Sequence, residues 1–238
     1  MSVVSASFRT RVRAGVEPIA RVFGRVGLTP NALTVIGLLI AVVGAYFAAV
    51  GSWLVAGVVV AFGAIFDLFD GALARATGKV SKFGAFLDST LDRAGEGVVY
   101  IGIAIGCIAG DFAAGAVLAV AAMAAGYMVS YSRSRAESVG FSSGSGMASV
   151  GLAPREVRMV ILVVGLLLTG IAGGVDQGPW LYLQGYELPF GYFIDTAVGK
   201  LWIQLSLYLI TTLATITAIQ RILFTYNQSR SQNQEVNH

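Results

Sequence analysis

VGLTPNALTVIGLLIAVVGAYFAAVGSWLVAGVVVAFGAIF, residues Val26–Phe66, carries no charged side chain over 41 positions. A helix needs about 20 apolar residues to cross a bilayer. This run therefore holds two crossings, with a turn near Gly51-Ser52. Phe112–Ser132 is equally clean, and Met159–Val175 and Leu201–Gln220 supply two more spans. Gly97–Gly110 is too short to span alone. It spans only together with Ser81–Glu96, which contains Asp88, Asp92, Arg93 and Glu96. The pattern predicts six helices, at about 30–50, 52–76, 81–108, 111–136, 155–176 and 198–225. The expected fold class is an all-α integral membrane protein, six transmembrane helices preceded by an amphipathic juxtamembrane helix.

Composition agrees. Of the 238 residues, 56% are hydrophobic and 12% charged, against roughly 25% charged in ordinary soluble domains. Mean hydropathy is +0.75. A soluble globular domain, a disordered chain and a disulfide scaffold are excluded. The single His is His238 and the single Cys is Cys107, within an apolar run. Histidine metal sites, histidine bases and an internal disulfide are excluded too. Chemistry falls to Asp, Glu, Lys, Arg and hydroxyls, each charge being costly in hydrocarbon.

Basic residues set the orientation. Six alternating helices put both termini on one side. That side carries Arg9, Arg11, Arg13, Arg21, Arg25, Arg75, Lys79, Lys82, Arg93, Arg133, Arg135, Arg155, Arg158, Arg221 and Arg230, and only Lys200 falls opposite. The basic side is expected to be cytoplasmic, in a multi-pass protein of the cell membrane. Residues 1–28 read as an amphipathic helix on the cytoplasmic surface, with Phe8, Val12, Val16, Ile19, Phe23 and Val26 at helical spacing. Residues 29–226 form the membrane domain, and 227–238 a polar, disordered tail. Trp180, Tyr182, Tyr186, Phe190, Tyr192 and Phe193 between helices 5 and 6 read as an interfacial aromatic belt.

Immediately after the uncharged run comes DLFDGALARATGKVSKFGAFLDSTLD, Asp67–Asp92. Asp67 and Asp70 are three apart near the cytoplasmic end of helix 2. Asp88 and Asp92 are four apart near the start of helix 3. Each pair shares a helical face, and a short basic turn makes the helices antiparallel neighbours. Four carboxylates at one depth call for protonation or divalent metal. Hard oxygen donors at this density suit two Mg²⁺ ions, or Mn²⁺ in their place. Gly71, Ala74 and Gly84 let a ligand or helix approach the backbone.

The pattern Asp67-x2-Asp70-Gly71-x2-Ala74-Arg75-x8-Gly84-x3-Asp88-x3-Asp92 resembles the signature of the CDP-alcohol phosphotransferase family at every position. The stretches VGLTPNALT (26–34), SKFGAFLDSTLDR (81–93), YSRSRAE (131–137), PREVR (154–158) and AIQR (218–221) resemble its phosphatidylinositol phosphate synthase branch. Arg133 stands where that branch commonly has Lys, and no Pro follows Asp88, unlike the glycerophosphate-using branch. The resemblance implies a membrane homodimer of six-helix protomers, with membrane lipids around it and no nucleic acid. It implies transfer of the phosphatidyl group of CDP-diacylglycerol to a hydroxyl of inositol phosphate, releasing CMP. Alternatives are glycerol phosphate or inositol as acceptor, or another CDP-linked lipid. Asp67, Asp70 and Asp88 would hold two metal ions. Asp92 would touch the second and act as general base. Asn31, Ala32, Leu33, Thr34, Gly71, Arg75 and Ser81 would hold the CDP-lipid head.

An acceptor phosphate needs basic partners. Arg155 and Arg158 open helix 5 three apart, and Arg221 is isolated on a long apolar helix. These three are the first candidates, then Arg133, with Arg135 expected to pair with Glu137 or Glu156. Glu96 either orients the site or pairs with Arg93. The Gly/Ser-rich segment 138–153 is a lid or a plain linker. A cation transporter using intramembrane carboxylates is the reading from another class. The acidic pairs lie near a helix end beside a basic turn rather than at mid-bilayer, which favours the transferase.

Overall fold

A computed structural model describes Pro18 and residues 22–141, 150–175 and 198–236, with side chains as far as Ser231. The described residues form helices α1 (Pro30–Ala49), α2 (Trp53–Ala76), α3 (Lys82–Ala109), α4 (Ala113–Ser138), α5 (Arg155–Ile171) and α6 (Val198–Val236), and contain no strand. Local chemistry sets the ends. Thr29 caps α1, its hydroxyl accepting from Ala32 N at 3.2 Å, with Pro30 in the first turn. Ser81 caps α3 by accepting from Gly84 N at 2.9 Å. Gly51 and Gly78 close α1 and α2 in the left-handed region, at φ 77° and 65°.

Each helix packs against two others, in the closed cycle α1–α2–α5–α6–α4–α3. Trp53, Val60, Tyr100, Ile103, Leu162, Leu166, Ile203 and Leu207 fill its centre. Small residues let the backbones close. A Cβ on Gly102 would strike the Ala45 carbonyl, and one on Gly106 the Ala48 carbonyl, which locks α3 onto α1. The outer surface is apolar, with Leu39, Val58, Phe62, Ile65, Ile105, Val117, Leu201 and Leu205 exposed. A soluble protein of this size would not show so much apolar surface. Pro30–Ala49, Trp53–Ala76, Ala113–Ser138 and Val198–Ser231 are long and apolar enough to cross a membrane. The chain is therefore a multi-pass membrane protein.

Several boundaries differ from the sequence reading. The fifth helix stops at Ile171 rather than 176, because Gly173 and Gly174 take φ of 94° and 96°. The polar tail after 226 was expected to be disordered, yet α6 continues to Val236; no Gly or Pro interrupts 200–236. α2 and α3 are not close neighbours as expected. Both pack on α1, which leaves a cleft between them. Of the juxtamembrane helix, residues 22–25 are helical, and the Phe23 ring packs 5.9 Å from Phe66 and 5.5 Å from Phe69. The rest of that helix apart from Pro18, the aromatic belt at 180–193 and residues 142–149 of the Gly/Ser-rich segment lie outside the described residues.

Gly106→Val should destabilise the fold by about 1–3 kcal/mol, since the new side chain meets backbone rather than a movable side chain. The check is a lower melting temperature in detergent, and an unchanged one would contradict this packing.

Candidate active site

Helix rise brings the acidic pairs level. Asp70 and Asp88 each lie about 9 Å along their helices from the 77–81 turn, and Asp67 and Asp92 about 14 Å. The four face one another across the cleft between α2 and α3. Asp67 and Asp88 each lie within electrostatic reach of the other three. The floor of the cleft is α1, at Thr34, Gly37, Leu38 and Ala41. Gly37 is required there, since a Cβ would collide with the Asp67 carboxylate.

Arg155, the first residue of α5, reaches into this cleft. Its Nη2 lies 2.8 Å from Asp67 Oδ2 and its Nη1 3.0 Å from Asp92 Oδ1. Its Nε is buried and has no partner among the described residues. Thr34 Oγ1 donates to Asp70 Oδ2 at 2.9 Å, and Gly71 N donates to Asp70 Oδ1. Arg93 Nη1 stands 3.6 Å from Asp92 Oδ2. When ionised, four carboxylates thus face two guanidinium groups, an excess of two negative charges. Divalent cations suit that excess, and the all-oxygen donor set fits hard ions. Among the described residues no three acidic side chains already form a closed metal shell. Asp67 and Asp92 would have to exchange Arg155 for an ion.

One turn deeper, a second ion pair joins α3 and α5. Arg158 Nε and Nη2 donate to Glu96 Oε1 and Oε2, both at 2.9 Å, and Arg158 Nη1 donates to Ala153 O at 3.1 Å. Both side chains are 1% exposed.

A family model described as CDP-alcohol phosphatidyltransferase matches residues 27–225. The chain belongs to the CDP-alcohol phosphatidyltransferase family. An archaetidylinositol phosphate synthase of Pyrococcus horikoshii is 40% identical over 171 residues, covering 71% of this chain and 86% of that protein. A phosphatidylinositol phosphate synthase of Streptomyces avermitilis is 32% identical over 227 residues, covering 94% and 81%. The crystal structure of the Mycobacterium tuberculosis phosphatidylinositol phosphate synthase with CDP-DAG bound matches with a TM-score of 0.69 and 27% identity, covering 89% of this chain and 93% of that one. The same mycobacterial enzyme is also solved in complex with manganese and citrate.

The structure gathers much of the expected phosphatidyltransferase site. Asp67, Asp70, Asp88 and Asp92 converge. Thr34 joins them through Asp70. Asn31 meets Ser81 at Gly84, where a Cβ would lie 3.3 Å from Asn31 Oδ1 and 3.0 Å from Ser81 Oγ. Arg75 lies against Gly71, and Ala32 sits at the capped start of α1. Leu33 differs: at 1% exposure its side chain belongs to the core with Phe66 and Leu73 and points away from the cleft's carboxylates.

The arginines differ more. Arg158, expected to bind the acceptor phosphate, is not free to do so, because Glu96 and Ala153 occupy its guanidinium. Glu96 pairs with Arg158 rather than Arg93. Arg221 Nε donates to Val150 O at 3.1 Å and its Nη1 to Val129 O, so much of its donor capacity braces backbone. Arg133, not Arg135, pairs with Glu137, at 2.9 Å. Sequence reading missed the Asp92–Arg155 and Glu96–Arg158 ladder. Its signal was the i,i+4 spacing of the two acids set against the i,i+3 spacing of the two arginines.

Arg155→Ala should cost about 1–3 kcal/mol of stability in EDTA, since it strips a cation from two half-buried carboxylates. Added Mn²⁺ should raise the melting temperature of this variant by more than that of the wild type. Equal shifts would mean that Arg155 and the ion do not share these carboxylates.

Proposed function

We propose that this chain transfers the phosphatidyl group of CDP-diacylglycerol to a hydroxyl of inositol phosphate, giving phosphatidylinositol phosphate and CMP. The observation that carries this reading is Arg155 reaching between Asp67 and Asp92. A phosphate-binding cation thereby stands beside the carboxylates of the family signature, where a phosphorylated acceptor has to meet the CDP-linked phosphate. The archaetidylinositol phosphate and phosphatidylinositol phosphate synthases named above, and the fold match to a structure with CDP-DAG bound, support the substrate pair.

Asp67, Asp70, Asp88 and Asp92 would hold two Mg²⁺ ions, or Mn²⁺. When bound, these supply charge neutralisation at the pyrophosphate and on the departing CMP. Thr34 lines the cleft on α1; with Asn31, Ala32, Gly71, Arg75 and Ser81 it would bind the CDP head. Arg155 and Arg133 would hold the acceptor phosphate, with Arg221 as a further candidate. Arg221 lies within electrostatic reach of Arg133, Arg158 and Arg93. Asp92 accepts the proton of the attacking hydroxyl. The new P–O bond forms at the lipid-side phosphorus as the bond to CMP breaks, with no protein nucleophile.

α3 and α5 complete six spans in this reading. Four charged residues within Asp88–Glu96 interrupt the hydropathy of α3. α5 is about 26 Å long at 17 residues, close to the roughly 30 Å hydrocarbon thickness. The site and both termini face the cytoplasm, residues 1–28 lie along that surface, and two protomers associate.

The purified protein with Mg²⁺, CDP-diacylglycerol and inositol phosphate should release CMP. Asp92→Asn should lower kcat by about 10²–10⁴-fold while CDP-lipid binding persists. Use of glycerol phosphate but not inositol phosphate would overturn the acceptor assignment. Preference for another CDP-linked lipid over CDP-diacylglycerol would overturn the lipid assignment alone.

A further inference from the structure

Glu96 and Arg158 lie outside the family signature, yet they form the most completely buried ion pair among the described residues. Every nitrogen of the Arg158 guanidinium is engaged, two by Glu96 and one by the Ala153 carbonyl. The side chain is held in one arrangement. Gly126 on α4 makes room for it, since a Cβ there would lie 3.1 Å from Arg158 Nε and 3.4 Å from Glu96 Oε1.

The pair sits where α5 begins. Ala153 directly precedes the Pro154 cap, and Arg155 follows. On the opposite side of this entry, Thr217 Oγ1 accepts from Leu152 N and Ala153 N, both at 3.0 Å. The start of α5 is therefore fastened to α3 through Glu96 and to α6 through Thr217. α3 and α5 are not adjacent in the helix cycle; across its interior they share the apolar centre, and at the entry to α5 charged side chains link them. Asp92 and Glu96 are one turn apart on α3, and Arg155 and Arg158 nearly one turn apart on α5. The two ion pairs are successive rungs of one ladder. The outer rung is partly exposed, at 23% for Arg155 and 16% for Asp92. The inner rung is sealed.

We propose that Glu96 and Arg158 are positioning residues for the transfer reaction: the sealed rung fixes the height and rotation of α5, so that Arg155 meets Asp67 and Asp92 and the acceptor phosphate. This rests on the reading of Arg155 as an acceptor ligand. A buried ion pair is a poor device for stability alone. Apolar residues of similar volume often replace one without loss, whereas removing one partner is strongly destabilising. What apolar substitutes cannot reproduce is the fixed donor geometry at Ala153.

That contrast supplies the test. The double variant Glu96→Met/Arg158→Leu, in full-length protein in detergent, is compared with wild type by thermal unfolding and by steady-state CMP release, varying each substrate in turn. The melting temperature should stay near the wild-type value. kcat should fall by about 10–100-fold, the scale of a misplaced reacting group. KM for inositol phosphate should rise and KM for CDP-diacylglycerol should not move. Wild-type kinetics in the stable double variant would overturn the proposal, as would equal rises in both KM values. Should the double variant fail to fold, Glu96→Asp retains the charge but shortens its reach. The same split is expected, smaller in size, and wild-type kinetics there would overturn the proposal equally. Absence of turnover in the wild type would instead defeat the transfer reading itself.

Discussion

Carboxylates placed among apolar helices need cations, and much of this architecture follows from that requirement. Asp67, Asp70, Asp88 and Asp92 converge between α2 and α3, partly buried and repelling one another. Arg155 is brought to them from a helix far along the chain. To deliver it, α5 lies against α2, and the entry to α5 is fastened by Glu96, Arg158 and Thr217. The glycines serve the same end. Gly37 admits the Asp67 carboxylate, while Gly102 and Gly106 bring α3 close against α1. α1 then separates α2 from α3 and holds the cleft open between them.

Most of the helices were legible because hydrocarbon imposes a length and composition that few other structures share. α1, α2, α3 and α4 could be read within two residues at each end. Errors arose where composition stops being informative. Polar residues after Tyr226 look unstructured by hydropathy, but Gln, Arg and Glu are acceptable helix formers, and nothing between 200 and 236 breaks the helix. The adjacency of α2 and α3 was inferred from their short connection. Sequence gives no measure of how closely small residues let a third helix intervene.

The acidic cluster was legible for a different reason: charge that is costly in an apolar helix has few uses other than function. The same logic misled at Arg158 and at Arg221. Both are conspicuous arginines on apolar helices, and both spend their donors on protein groups, Arg158 on Glu96 and Ala153 O, Arg221 on Val129 O and Val150 O. A lone intramembrane arginine is equally consistent with a ligand site or an internal brace. The deciding fact is a partner some 62 to 92 positions away in sequence. Leu33 shows the complement. Its neighbours Asn31 and Thr34 face the site, but helical rotation turns Leu33 into the core.

The two rungs between α3 and α5 separate roles that one ion pair could not fill together. A pair that is to release its arginine to a substrate phosphate must be weak enough to exchange, and partial exposure with two competing carboxylates makes Asp92–Arg155 so. A pair that is to fix a helix must not exchange, and two parallel hydrogen bonds in a dry interior give Glu96–Arg158 that property. If both rungs were exposed, α5 would shift with every change of ligand and Arg155 would lose its register. If both were sealed, Arg155 could not leave the carboxylates. A single turn of depth along α3, from Asp92 to Glu96, produces the difference. It also accounts for how a chain with no histidine in its membrane helices would carry out the proposed proton transfer: the proposed base, Asp92, is a carboxylate, and in the same proposal the arginine beside it is held at a set distance by a pair that takes no part in the chemistry.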